Sequence, residues 1–365
     1  MNLGLYIHVP FCKRKCPYCD FYSLCDLSFK ENYVSALVKA IEFYADKSRV
    51  VDSIYFGGGT PSLLSPDEIG KILGAVKDNF SLKDTEITLE ANPSSVDKDY
   101  FEKILNAGVN RLSLGVQSLN DDELAVLGRL HDSKGAKNAI TEARSAGFEN
   151  ISADLMIGVS KQTDESLVRS IAGLSECKVN HISSYLLKIE ERTPYFNVAD
   201  TLNLPNDDEI AERYLLAVDN LESFGYKQYE ISNFSKVGFE SRHNLKYWRL
   251  DDYLGLGPAA HSFYNCERFY FERDLVSFIT MAKSGVFAPT IDEKADLKEE
   301  YIMLSLRLCE GLSIARAKGL GIDTSELLRR AKGFIDAGYM LFDGERLKFT
   351  PKGFLVSNAI IARLI

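Results

Sequence analysis

The sequence contains no run of about 18 consecutive apolar residues, the length that a membrane-spanning helix requires. Its first residues, MNLGLYIHVP, lack the basic flank and the small-residue cleavage site of a signal peptide. An excess of positive charge is also absent, because 43 Lys and Arg residues stand against 52 Asp and Glu residues. These absences predict a cytoplasmic protein with no transmembrane segment and no nucleic-acid partner.

The composition also excludes disordered, collagen-like and small disulfide-stabilised proteins, since 45% of the residues are hydrophobic and 26% are charged. At roughly 150 residues per domain, a chain of 365 residues predicts two domains or one large barrel with an appendage. Four of the seven cysteines fall within residues 12–25, and the other three stand alone. In a reducing compartment this clustering favours a metal site or a catalytic site over disulfide bonds.

Short apolar, β-branched segments alternate with helical patterns through the first half of the chain. The apolar segments predict strands near Gly4–Val9, Ser53–Phe56, Thr85–Leu89, Arg111–Val116, Ile151–Ile157 and His181–Leu186. The patterns between them predict helices near Phe29–Ala45, Pro66–Asn79, Asp97–Ala107, Ser133–Ala146 and Asp164–Ser175. Consecutive βα units with right-handed crossovers predict an α/β fold, namely a partial parallel (β/α)6 barrel over residues 1–190.

The pattern changes after residue 190. Residues 191–290 are predicted to extend the barrel, with a helix near Asp207–Phe224. Residues 291–365 predict a C-terminal α+β region, in which three helical patterns precede two short strands around an Asp343-Gly344 turn. This order is typical of a winged helix. Because the region is not strongly basic, we expect it to pack against the barrel and not to bind DNA.

Three cysteines follow the first predicted strand in the pattern Cys12-x3-Cys16-x2-Cys19. A structural zinc site needs four ligands, and Cys25 and His8 are the available candidates for the fourth. An iron–sulfur cubane is the alternative, since three thiolates can hold three of its irons and leave the last iron open to another ligand. The basic residues at positions 13–15 would partly offset the negative charge of such a cluster.

Polar or glycine-rich loops follow the later strands, at the edge of a parallel barrel where ligands usually bind. The segment Gly57–Thr60 lets the backbone approach a ligand closely. Glu90, Gln117 and Asp154 lie near strand ends and can accept hydrogen bonds from hydroxyl or ammonium groups. Arg129 can pair with a carboxylate. Taken singly, each of these residues also has an ordinary interpretation, as part of a tight turn or as a surface polar group.

The cysteine pattern, at the start of a parallel barrel and followed by an aromatic residue, resembles the radical S-adenosylmethionine (SAM) superfamily. The resemblance implies that Cys12, Cys16 and Cys19 hold a [4Fe–4S] cluster whose open iron binds SAM. The sequence is similar in particular to the branch that contains the oxygen-independent coproporphyrinogen III oxidases. That similarity implies SAM contacts from Tyr6, Gly58, Gly59, Thr60, Glu90, Gln117, Arg129 and Asp154.

Two functions are open within this branch. The oxidases use a 5′-deoxyadenosyl radical for oxidative decarboxylation of coproporphyrinogen, whereas the HemW-like haem chaperones keep the barrel and cluster and deliver haem to other proteins. Phe21 stands where the oxidases have a fourth cysteine, and little chain precedes Cys12 to form their N-terminal extension. Residues 243–248 match the His-Asn-x-x-Tyr-Trp signature of the HemW-like group. These three features favour the chaperone. Radical modification of RNA is disfavoured by the net charge.

The His-Asn-x-x-Tyr-Trp segment also suits haem chemically. His243 offers an axial nitrogen, and Tyr247 and Trp248 offer flat apolar surface. Arg242 or Lys246 could pair with a propionate. Without the resemblance, a buried histidine and two core aromatic residues would be the simpler interpretation. Rival iron ligands are His261, Cys25 and Cys266.

The resemblance therefore predicts a haem chaperone with no catalytic residues of its own. It would carry the [4Fe–4S] cluster, bind SAM and haem, and pass the haem to an acceptor haemoprotein such as a respiratory cytochrome. Contact with a membrane would come only through that acceptor. The oxygen-independent coproporphyrinogen III oxidase is the alternative.

Overall fold

Six parallel strands form the centre of the structure, a computed structural model that describes residues 2–292 and 296–365. The strands are β1 Leu3–Val9, β2 Asp46–Gly58, β3 Phe80–Ala91, β4 Arg111–Gln117, β5 Asn150–Ile157 and β6 His181–Leu186. They are hydrogen-bonded side by side in chain order, and every neighbouring pair is parallel. The predicted (β/α)6 arrangement is confirmed.

Six helices connect these strands and cover the outer face of the sheet. They are α1 Lys30–Phe43, α2 Pro66–Asn79, α3 Lys98–Ala107, α4 Asp121–Val126, α5 Ser133–Ser145 and α6 Asp164–Glu176. Helix α2 begins at a capping box, in which the Ser65 side chain accepts from the Glu68 backbone N–H. Helix α3 ends at Gly108, whose φ of +116° is the left-handed conformation that favours glycine.

The side chains of the central strands alternate between two environments. In β1, Leu3, Leu5 and Ile7 are fully buried on the helix-covered face. Tyr6 points to the other face, where its ring lies 6.3 Å from that of Tyr55 on β2. Because successive strand residues point to opposite faces, the main apolar core lies between sheet and helices, and the inner face carries polar and aromatic groups.

Residues 200–292 extend both edges of the same sheet. Their elements are α7 Asp207–Ser223, β7 Lys227–Gln228, β8 Asn233–Ser235, α8 Arg242–Arg249, β9 Tyr253–Leu256, β10 His261–Tyr264, β11 Glu267–Tyr270, α9 Leu275–Ser284 and β12 Thr290–Ile291. Strand β9 pairs in parallel with β1, and β10, β11 and β12 continue from it in antiparallel pairs. Strands β8 and β7 continue from β6. Among the described residues, the resulting sheet has twelve strands, so the strands of residues 200–292 are continuous with the barrel sheet.

The C-terminal region contains α10 Leu297–Ser305, β13 Leu312–Ser313, α11 Ile314–Gly319, α12 Thr324–Asp336, β14 Met340–Phe342, β15 Arg346–Phe349, α13 Pro351–Leu355 and α14 Ser357–Leu364. Strands β14 and β15 form the expected hairpin around Asp343-Gly344, and β13 completes a three-stranded sheet. The backbone N–H of Ile231 donates to Arg307, and that of Cys309 donates to Tyr229, which joins this region to the barrel. The winged-helix description and the division at residues 190 and 290 stay predictions, and residues 293–295 lie outside the described residues.

No helix among the described residues is both long enough and apolar enough to cross a membrane.

Candidate functional site

The cysteine loop leaves the carboxyl end of β1 and is closed at its base. The backbone N–H of Cys12 donates to Leu24 over 2.9 Å, and that of Leu24 donates to Pro10 over 2.8 Å. Cys12 is buried, whereas Cys16 and Cys19 are partly exposed. All seven cysteines of the chain are free thiols. The loop is therefore a fixed turn that presents three thiols at the carboxyl edge of the sheet.

Two predicted ligand-binding residues contact these thiols. The Thr60 hydroxyl lies 3.4 Å from Cys12 Sγ, and Arg129 Nη1 donates to Cys16 Sγ over 3.6 Å. Burial raises the pKa of the Cys19 thiol, and the charges of Cys12 and Cys16 act in the same direction. The three thiols are thus close enough to influence one another electrostatically, and a cation lies beside one of them.

The thiols do not converge on a single point. Within residues 2–292 and 296–365, no group of three or more His, Cys, Asp or Glu side chains is arranged to hold one metal ion. A cubane does not require such convergence, because each thiolate binds a different iron. Three free thiols on one loop, with Arg129 beside them to balance negative charge, fit a [4Fe–4S] cluster by their donor chemistry.

The glycine segment at the end of β2 packs tightly beneath the cysteine loop. Gly58 has a φ of +110°, and a Cβ atom there would lie 2.7 Å from the His8 ring. A Cβ at Gly59 would lie 2.6 Å from the carbonyl oxygen of Phe11. Both positions therefore require glycine, as expected where the backbone must come close to other groups.

Glu90 lies next to this segment and is held by two hydrogen bonds. The Tyr55 hydroxyl donates to its Oε1 over 2.8 Å, and the Gly58 backbone N–H donates to its Oε2 over 3.2 Å. Burial and the neighbouring charge of Asp154 nevertheless raise the pKa of Glu90 to about 8. The carboxyl group is thus oriented, and a positively charged ligand would favour its ionised form.

Gln117 and Asp154 complete the carboxyl edge. Gln117 has a φ of +71°, and its Oε1 accepts from the Tyr185 hydroxyl over 2.8 Å. Ser113 donates to Asp154 Oδ1 over 3.3 Å, and burial raises the pKa of Asp154 to about 6. Tyr6 lies deeper, where its hydroxyl donates to Nδ1 of His8 over 3.0 Å, since Nε2 of His8 faces the Tyr22 carbonyl.

His243 lies below these residues, towards the amino end of the barrel, where its ring stacks on the rings of Tyr55 and Tyr6 with centroids 5.3 and 6.3 Å apart. The His243 side chain contacts Ser53 on β2. It also lies close to the start of β1, because a Cβ atom at Gly4 would lie 3.2 Å from the His243 ring. The backbone N–H of Arg242 donates to Glu86 over 3.0 Å. Helix α8 therefore closes the amino end of the barrel.

The environment of His243 does not support the expectation that it binds haem iron. The residue is fully buried, with Nδ1 3.0 Å from the Ser53 hydroxyl and Nε2 2.8 Å from the Tyr247 hydroxyl. Burial and the Lys246 charge lower its pKa to about 3, so the ring is neutral. Both ring nitrogens are occupied, and neither is presented to a ligand.

The cations expected to meet propionates are also engaged elsewhere. Lys246 is buried and forms a 2.8 Å ion pair with Asp52. Arg242 donates to the backbone oxygen of Asp84 and pairs with its carboxylate. The His-Asn-x-x-Tyr-Trp segment thus fills the amino end of the barrel. This agrees with the simpler interpretation, in which the segment contributes a buried histidine and does not bind haem.

The rival ligands are more accessible. His261 is exposed at the start of β10, and its ring stacks on Tyr270 with centroids 5.0 Å apart. In the described part of the chain, neither of its ring nitrogens has a hydrogen-bond partner. Cys25 and Cys266 are exposed as well.

Sequence reasoning missed Glu123, a fully buried carboxylate that supports the site from behind. It accepts from Ser118, Gln162 and Ser166, and Gln162 also donates to Met156 at the end of β5. This network links the ends of β4 and β5. Glu123 lies in a short acidic helix, where nothing in the sequence separates it from its exposed neighbours. Tyr55 was also missed, although strand alternation places it on the same face as Gly57.

Comparison with known proteins finds two family matches. Residues 6–172 match the radical SAM superfamily, and residues 292–356 match the HemN C-terminal domain. Heme chaperone HemW of Mycobacterium tuberculosis is 35% identical over 99% of this chain and 94% of its own length. Heme chaperone HemW of Bacillus subtilis is 36% identical over 99% of this chain and 98% of its own length.

A solved structure shares the fold. Coproporphyrinogen III oxidase (HemN) from Escherichia coli, described as a radical SAM enzyme, superimposes with a TM-score of 0.84 over 100% of this chain and 90% of that protein. The two sequences are 22% identical, so this similarity establishes the architecture and not the activity.

Proposed function

Because the chain belongs to the radical SAM superfamily and, within it, to the HemW family of heme chaperones, we propose that it binds haem and delivers it to acceptor haemoproteins. The observation that carries this proposal is the 35–36% identity to two HemW proteins over 99% of the chain. The acceptor, which we take to be a respiratory cytochrome, and a location in the cytoplasm are parts of the proposal.

Cys12, Cys16 and Cys19 are the residues that would hold the cluster. When bound, a [4Fe–4S] cluster with three protein thiolates supplies an open iron position and one-electron redox chemistry. Arg129 places a guanidinium beside Cys16, where it can pair with the carboxylate of SAM. Glu90 and Gln117 offer oriented acceptors for its ammonium and hydroxyl groups, while Gly58 and Gly59 allow close backbone approach.

For the haem iron we propose His261 in place of His243. An axial ligand must present a nitrogen lone pair, which the exposed ring of His261 can do and the buried, doubly hydrogen-bonded ring of His243 cannot. His261 also lies on the carboxyl side of the sheet, since it follows the Gly257 turn that packs against the His8 backbone.

The test begins with anaerobic reconstitution of the cluster. Wild-type protein, His261→Ala and His243→Ala are titrated with haem, and the Soret band is recorded. In parallel, coproporphyrinogen is supplied with SAM and a reductant, and its decarboxylation is measured. We expect a stable haem complex that is weakened by His261→Ala, and no decarboxylation.

Turnover of coproporphyrinogen without haem retention would overturn the chaperone and establish the oxidase. If His261→Ala left the spectrum unchanged, only the assignment of the ligand would fail.

A further inference from the structure

We propose that Arg192 and Arg273 form a site for the two carboxylates of a planar dicarboxylate such as haem, at the place where the cysteine loop joins the two flanks of the sheet. This inference rests on the proposed function and locates its cargo.

The two arginines converge on one carboxylate. Nε of Arg192 lies 3.5 Å from Oδ1 of Asp20, and Nη1 of Arg273 lies 3.6 Å from Oδ2. Arg273 also donates to the Asp20 backbone oxygen. Asp20 directly follows the last cysteine of the loop, so both guanidinium groups lie beside the proposed cluster site.

The arginines come from opposite flanks. Arg192 follows β6, whereas Arg273 follows β11, and these strands lie on opposite sides of β1 in the sheet. Both guanidinium groups reach the same carboxylate, so the two flanks approach each other here. A ligand bound by both arginines would therefore span the opening of the partial barrel at its carboxyl edge.

The charges are unbalanced and accessible. Two guanidinium groups face one carboxylate, and the side chains of Arg192 and Arg273 are 70% and 40% exposed. Contacts of 3.5–3.6 Å at this exposure are weak ion pairs, which a second carboxylate can join or replace. The guanidinium group suits such an exchange because its several N–H donors recognise carboxylates bidentately.

Three acidic residues near the arginines already have other partners. Glu190 pairs with Lys188, and Glu272 accepts from the Thr290 hydroxyl. The Asp274 side chain accepts from the first backbone N–H groups of α9. These three carboxylates therefore do not neutralise the excess positive charge at Asp20.

Apolar surface and a candidate iron ligand flank the arginine pair. Phe21, the residue after Asp20, is 67% exposed. On the Arg192 side, Phe196 is exposed and lines a cavity of about 500 Å³ together with Ile189. On the Arg273 side, the backbone N–H of Ala259 donates to Glu272, which brings the exposed His261 to the same end of the β10–β11 pair. Two carboxylates on one edge of a flat apolar body match this combination.

The test compares haem with haem dimethyl ester, in which both carboxylates are blocked. Cluster-loaded wild type, Arg192→Gln, Arg273→Gln and the double variant are titrated with each ligand. We expect wild type to bind haem at least about ten-fold more tightly than the ester. Each single variant should bind haem about five-fold more weakly than wild type does, with no change in its affinity for the ester. The double variant should bind haem and the ester with equal affinity. Arg329→Gln is the control, because it removes an arginine as exposed as Arg192 from its pair with Glu326 on α12, and it should change the affinity for neither ligand.

Asp20→Asn separates ligand binding from loop support. If Asp20 competes with a propionate, this variant should bind haem as tightly as wild type or more tightly, with unchanged iron and sulfide content. Equal affinity of wild type for haem and ester would refute the proposal, as would Asp20→Asn weakening haem binding like the arginine variants. Wild type that bound neither ligand would instead refute the proposed function.

Discussion

Glu90 gives the sharpest physical prediction, because the ionised carboxylate is unfavourable in the protein without a bound cation. Its pKa is raised from 4.5 to about 8, first by burial and then by Asp154. A carboxyl group whose folded pKa lies above its unfolded pKa stabilises the fold below pH 4.5, and this stabilisation is lost as the pH rises towards 8. Each pH unit in that window costs at most about 1.4 kcal/mol. Because the Glu90 side chain keeps some contact with solvent, the total cost between pH 4.5 and pH 8 is reduced to about 1–3 kcal/mol.

The Glu90→Gln variant should remove this cost. The glutamine side chain resembles the protonated acid, so wild type and variant should have similar free energies of unfolding at pH 5, and the variant should be more stable by about 1–3 kcal/mol at pH 9. The measurement is urea unfolding of the cluster-free protein from pH 5 to pH 9. Glu102→Gln, at an exposed site on α3 paired with Lys98, is the control and should show no such trend.

Two results would refute the reasoning about Glu90. One is a stability difference that does not depend on pH. The other concerns Asp154→Asn, which should move the pH window of the Glu90 effect to lower pH because Asp154 contributes to the raised pKa of Glu90. An unchanged window in that variant would contradict the reasoning.

Three further predictions concern single residues. His243→Ala should lower the free energy of unfolding by about 2–4 kcal/mol, because it leaves a cavity and two unpaired hydroxyls, while haem affinity measured by Soret titration stays within about two-fold. Gly58→Ala should destabilise the protein by about 1–3 kcal/mol in thermal unfolding, since its φ is +110° and the added Cβ meets the His8 ring. Arg129→Ala should weaken SAM binding by about 10- to 100-fold in equilibrium dialysis while the iron content is unchanged; loss of iron would instead make Arg129 a support of the cluster loop.

Local signals predicted the barrel well. Strand β1 has an apolar strand pattern, and helices α2 and α3 have amphipathic patterns with clear caps. The structure places all three within two residues of their predicted bounds. The first part of β2 was missed, since Asp46–Arg49 is polar, with its two middle residues exposed and the other two only partly buried. Such residues resemble a loop, and only pairing with the start of β3 makes them a strand.

The candidate site could be predicted in part, because the carboxyl ends of parallel strands meet at one edge. The cysteine loop and Thr60 were expected at that edge, and the structure places the Thr60 hydroxyl beside Cys12 and Arg129 beside Cys16. The convergence of Arg192 and Arg273 on Asp20 had no local signal. These residues belong to three loops distant in the chain, and their proximity depends on how the whole sheet curves.

The case of His243 shows why residue chemistry alone does not locate an iron ligand. Imidazole is both a good metal ligand and a good buried hydrogen-bonding group, and the difference lies in whether a ring nitrogen is left without a partner. Helix α8 starts where Glu86 accepts its first N–H groups, which fixes the ring of His243 between Ser53 and Tyr247. The polar inner face of the barrel is thus covered at its amino end by the polar side chains of helix α8. At the other end the same polar face remains open, and there a cluster, SAM and an anionic cargo would find their partners.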